Sequence, residues 1–108
     1  MTTTHHQPVP DVALPPGVMY DDPWELDTDT GRQSRLLNGA TRGVPGNSDI
    51  QVYNAAVQYA DGTLAQDALN RPSVWIYACE EALSSGQARA LAAELIAAAD
   101  ELDGWAER

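Results

Sequence analysis

Three observations predict an α+β fold, with a small antiparallel β-sheet packed on one C-terminal α-helix and a disordered N-terminal arm. Segment 83–105 repeats apolar residues at spacings of three and four. Segments 49–60 and 73–79 alternate at period two, with an Asp61-Gly62 turn signal after the first of them. Residues 1–22 hold Pro8, Pro10, Pro15 and Pro16 and offer no repeating apolar face.

The arm comes first. Few large apolar groups lie between Met1 and Asp22, so little burial is available to offset the entropy of ordering the chain. His5 and His6 are adjacent, but a closed metal site needs further ligands at fixed geometry, and none are at hand. Residues 23–35 form a turn or docking segment. In YDDPWEL, Asp22 and Pro23 suit the start of a turn, and Trp24 and Leu26 stand among acids. Trp24 either latches back onto the domain or inserts into a partner pocket while the acids steer approach.

Asp27-Thr28-Asp29-Thr30-Gly31 opens like a calcium loop. Counting from Asp27, however, the fifth, sixth and twelfth positions hold Gly31, Arg32 and Asn38, where an EF-hand needs a ligand, glycine and glutamate. A polar turn is the better reading. Leu36 and Leu37 then suggest a short strand. Arg32, Arg35 and Arg42 make the one locally basic stretch, free of acids from Thr30 to Ser48. Three arginines can hold a phosphate or an acidic partner; in so acidic a chain the expectation is pairing with its own carboxylates. The glycine-rich run NGATRGVPGN (38–47) has no lysine and is followed by strand character, so it reads as a flexible loop and not a phosphate loop.

Asp49–Ala60 reads as a strand whose apolar emphasis moves from Ile50 and Val52 to Tyr53, Ala55, Val57 and Tyr59, which predicts a bulge near Asn54. Asp61-Gly62 is a hairpin turn. Thr63–Leu69 is a short strand or a loop carrying Leu64 and Leu69 inward. Ser73–Cys79 alternates Val74, Ile76 and Ala78 with Trp75, Tyr77 and Cys79, so both of its faces are largely apolar. Cys79 lacks a basic neighbour and reads as structural.

The helix is the longest periodic run. Ala88, Leu91, Ala92, Leu95, Ile96, Ala99 and Leu102 form the stripe expected to be buried, with Arg89, Ala93, Glu94, Ala97, Asp100 and Asp103 toward water. Ser84 and Gln87 have capping-box spacing, and Gly104 is placed to end the helix. The expected organisation is an arm over 1–22, a docking segment over 23–35, a sheet-plus-helix domain over 36–105 and a tail over 106–108.

The runs VQYADG, RPSVWIYA and LSSGQARALAAELIAAADELDGW together resemble small uncharacterised actinobacterial proteins, some of them phage-associated. In these a strand pair precedes a helix of the form QAR-x-LA-x-x-L-x-x-AAD. The resemblance spans roughly Gln51 to Trp105. It implies the fold and brings no assigned activity or site residues, and it does not extend to the arm or to Trp24.

Composition narrows function. A net charge of −10 argues against direct nucleic-acid binding and against anionic membranes, and favours basic partners or simple solubility. The single cysteine excludes an intramolecular disulfide and points to the cytoplasm. No apolar run is long enough for a membrane span, and the start of the chain does not read as a signal peptide. No cofactor or catalytic constellation is assigned. One helix covers one sheet face, so Trp75 and Tyr77 are expected on a bare opposite face. The chain reads as a non-enzymatic interaction module forming a homodimer, with Trp24, Leu26, Trp75, Tyr77, Arg32, Arg35 and Arg42 as interaction candidates. The alternative is an acidic regulator of a basic, nucleic-acid-binding protein.

Overall fold

The computed structural model describes residues 9–78, 80 and 82–106; the expectations placed on His5, His6 and Cys79 lie outside the described residues. Six strands precede one helix: β1 (Val18–Asp21), β2 (Glu25–Asp27), β3 (Arg32–Gly39), β4 (Arg42–Val44), β5 (Asn47–Tyr59), β6 (Ser73–Tyr77) and α1 (Ser85–Ala106). All strand pairs are antiparallel and belong to one curled sheet packed against the helix.

The 13-residue strand β5 is the axis of the sheet. Ala55 pairs with Asn38 of β3 and with Ser73 of β6; Val52 pairs with Arg42 of β4 and with Ile76 of β6. A strand has two edges, so β3 and β4 share one edge of β5 and β6 takes the other. The far edge of β3 carries β1 and β2. The run 38–47, expected as a loop, therefore contains β4 and a tight turn. That turn uses Pro45 and Gly46, whose φ of +79° suits the third position of a type II turn.

Side chains alternate without interruption along β5 from Ile50 to Tyr59. Ile50, Val52, Asn54, Ala56 and Gln58 are buried, and the odd-numbered residues from Tyr53 to Tyr59 are half-buried on the other face. The bulge expected near Asn54 is absent; the register irregularity falls instead opposite Gly43 and Val44 of β4. Two inward positions hold amides, and this disguised the period. Asn54 Nδ2 donates to the Ala98 carbonyl (2.9 Å) and to Glu101 Oε1 (3.2 Å), and Gln58 Oε1 accepts from Arg35 Nε (2.9 Å) and Nη2 (2.7 Å). Asn54 Oδ1 is buried without a hydrogen-bond partner among the described residues.

The inner face has two covers. The helix lies over the β4, β5 and β6 part of the sheet. Its start is the expected capping box: the Gln87 N–H donates to Ser84 Oγ (3.1 Å) and the Ser84 N–H donates to Gln87 Oε1 (3.0 Å). The docked face differs from the expected stripe. Ala98 and Trp105 are buried, whereas Ala88, Ala92 and Ala99 are exposed and Ile96 is 63% exposed. On this side Arg42 pairs with Glu94 (3.6 Å) and Glu101 (3.4 Å), and the Trp105 indole is buried with its N–H bonded to the Pro16 carbonyl. Glu101 approaches so closely that a Cβ at Gly39 would stand 2.9 Å from Oε1. The helix also runs through Gly104 to Ala106 rather than ending there.

Residues 9–17 form the second cover, a strap across the inner face, so the flexible arm expected over 1–22 does not hold for its described part. The Val12 carbonyl accepts from Arg35 Nη2 (2.9 Å), the Ala13 carbonyl from Gln58 Nε2 (3.1 Å) and the Pro16 carbonyl from Trp105 Nε1 (2.7 Å). Pro15 is buried, and β1 follows directly. The sheet thus begins at Val18, well before Leu36. Segment 63–69 also differs from expectation: Ala65 is the buried residue, held by its N–H to the Val57 carbonyl (2.8 Å), while Leu69 is 90% exposed.

Candidate surface on the uncovered sheet face

The face opposite the helix is built by the same alternation that builds the core. In β6, Trp75 and Tyr77 pair with Tyr53 and Gln51 of β5; in β3, Leu36 pairs with Val57; in β1, Tyr20 pairs with Asn38. Directly paired residues share a face. Tyr20, Leu36, Tyr53, Val57, Trp75 and Tyr77 therefore lie on one side of the sheet. No element covers this side among the described residues, and Trp75 and Tyr77 remain 52% and 61% exposed.

Two adjoining grooves cross this face. One, of about 210 Å³, is lined by Leu36, Tyr53, Val57, Leu69 and Trp75, with Arg71 at its rim. The other, of about 480 Å³, runs toward the β2–β3 turn between Leu36 and Tyr59 and the acids Asp22, Glu25 and Asp27. Arg32 lies flat on the Tyr59 ring, 3.3 Å from its centroid, so its guanidinium charge is held beside the acidic groove by cation–π attraction. Near that end, Asp61 lies below its ordinary carboxyl pKa because the Thr63 hydroxyl and then the Thr63 N–H donate to it, with Arg32 adding a smaller attraction.

The seven candidates read from the sequence are split between the two faces. Trp75, Tyr77 and Arg32 lie on the uncovered side. Trp24 and Leu26 do not: Leu26 pairs with Gln33, and the same register puts Trp24 opposite Arg35, on the inner side. There the Arg35 guanidinium stacks 4.4 Å from the Trp24 ring, pairs with Asp21 (3.3 Å) and donates to Gln58 and Val12. Trp24 is half-buried and Leu26 is exposed at the end of the sheet.

Arg35 and Arg42 are both committed internally, Arg42 to Glu94 and Glu101, so the three arginines do not converge on one anion site. Arg35 and Arg42 are thus internal braces, and Arg32 stays outside. Sequence reasoning missed Tyr20, Leu36 and Leu69 on the uncovered face. Tyr20 lay in the presumed arm, and the alternation of Leu36 against Leu37 was hidden by their being adjacent and alike.

Chemically the surface offers aromatic and aliphatic area with an acidic end, an arrangement suited to covering apolar groups of a partner. Among the described residues no three His, Cys, Asp or Glu side chains are grouped so as to hold a metal, and no helix is long and apolar enough to cross a membrane. Comparison with family models, with curated proteins and with solved structures finds no match to this chain.

Proposed function

We propose that this chain is a non-enzymatic, cytoplasmic protein-interaction module that self-associates and presents its uncovered sheet face to partners. In line with the QAR-containing helix, we place it with small actinobacterial or phage-associated proteins. The observation that carries the reading is the set of large exposed side chains, Tyr20, Leu36, Trp75 and Tyr77, on one sheet face. An aromatic side chain buries on the order of 200 Å², so covering the bare halves of Trp75 and Tyr77 would contribute about 2 kcal/mol each. A patch of this kind on a small domain is typical of an interface. Sedimentation velocity on the full chain tests the reading: a dimer at micromolar concentration is expected, and a monomer persisting at submillimolar concentration overturns self-association.

A second reading is favoured by the groove bearing Asp22, Glu25 and Asp27 beside Leu36 and Tyr59. In it, the surface receives a basic segment of a nucleic-acid-binding partner, its charge drawn to the acids and its apolar groups to the leucine and tyrosine. The same sedimentation runs with an arginine-rich peptide added separate the two readings. Binding that falls steeply with salt supports the second, and no binding at low salt removes it.

A further inference from the structure

The free edge of β6 distinguishes one side of the molecule. Among the described residues β6 pairs with β5 alone, so one row of its backbone N–H and C=O groups faces outward. Edge strands in soluble proteins are guarded by charges, bulges or a covering element. Here the stretch Pro72–Ala78 carries no charge, its pairing with β5 is regular, and side chains on both faces of the strand are exposed: Trp75 and Tyr77 on one, Ile76 (52%) on the other. Such an edge is a template for another strand.

The helix supplies a second observation on the same side. With 3.6 residues per turn, Leu91, Ala98 and Trp105 share one line, pointing down onto the sheet. Gln87, Glu94 and Glu101 share the flank toward β4, where Gln87 Nε2 donates to the Pro45 carbonyl (3.2 Å) and the two glutamates reach Arg42. Because β4 and β6 lie on opposite edges of β5, the other flank, bearing Ala88, Ala92, Leu95 and Ala99, is turned toward the β6 side. Of these four, the three alanines are exposed. Their 4-3-4 spacing of small and apolar residues matches a helix-to-helix seam.

The ends of β6 decide what fits the edge. Arg71 lies just before the strand, and Glu80 follows shortly after it. An antiparallel copy of the same strand would bring each Arg71 toward the other copy's Glu80. A partner strand keeps side chains on matching faces only if residues of equal parity oppose, which a two-fold axis through Trp75 or through Ile76 satisfies.

We infer that a second copy of this chain pairs along β6, edge to edge and antiparallel, continuing the sheet across a two-fold axis. The alanine flanks of the two helices face each other on one side of that sheet, and the aromatic faces join on the other. Asp103, four residues beyond Ala99, stands at the far end of the alanine flank, and salt screens its charge over about 8 Å. This assignment rests on the self-association proposed above, and it names the surface.

The test measures the dimer dissociation constant of the full chain by sedimentation velocity for wild type, Ala92→Glu, Arg71→Glu and Arg71→Glu combined with Glu80→Arg. Ala92 is exposed in the isolated chain, so its variant folds, which circular dichroism verifies. The seam requires that each of the first two variants weaken the dimer by about tenfold or more, and that the combined exchange restore it. A wild-type monomer overturns both the self-association and the seam. A wild-type dimer for which either single variant is without effect, or the exchange fails to restore, overturns the seam alone.

Discussion

The inner face of the sheet buries Arg35, Asn54 and Gln58, while the outer face leaves Trp75, Tyr77 and Tyr20 in contact with water. Residue type alone would have assigned them the other way. The polar groups are inside because partners come to them: a helix carbonyl and Glu101 for Asn54, and strap carbonyls for Arg35 and Gln58. Buried polar groups are tolerated when bonded. The aromatics are outside because a single helix and a short strap can roof only one face. The inner face is therefore closed by specific hydrogen bonds, and the outer one is left open for something else to close.

Substitutions on the two faces sharpen this contrast. Trp105→Ala removes the largest buried side chain, together with its bond to the Pro16 carbonyl, and uncouples the helix from the strap. It should lower the unfolding free energy by about 3–5 kcal/mol in a urea titration. Arg35→Met keeps much of the volume but strips Gln58 Oε1 and the Val12 carbonyl of their donor, and a loss of about 3 kcal/mol is expected by the same measurement. Trp75→Ser lies on the open face; measured at low concentration, where the chain is monomeric, it should cost no more than about 1 kcal/mol. A loss as large as that of Trp105→Ala would mean that Trp75 is covered within the single chain, and the contrast between the faces would collapse.

Much of this architecture was legible in local sequence because local rules set it. Ser84 and Gln87 meet across one helical turn, Asp61 and Gly62 make their turn with Thr63, and Ser73–Tyr77 is a strand inside the run read as one. What was not legible depends on partners far along the chain. The helix docks on the side carrying Glu94 and Glu101, and nothing near them announces Arg42. Asn54 and Gln58 broke the apolar alternation of β5, and their satisfaction comes from α1, β3 and the strap. The strap itself bonds through main-chain carbonyls, which every residue possesses, so proline content suggested disorder where the chain is in fact tethered. On the uncovered face, Trp75 and Tyr77 were found from alternation in one strand. Tyr20 and Leu36 needed the registers of β1 and β3, and those are tertiary facts.

The bond from Trp105 Nε1 to the Pro16 carbonyl joins residues 89 apart in sequence. During synthesis the strap and all six strands leave the ribosome before Trp105 does. Until then the part of the inner face between strap and helix has no indole to fill it, and the nascent sheet has neither cover secured. A contact this distant is also slow to form in a free chain, because loop closure precedes its reward. β6 is the last of these strands to emerge, and its open edge is available to other chains while that contact is still unmade. The aromatic strand most suited to pairing in the finished protein is therefore also open to wrong partners before the inner face is closed.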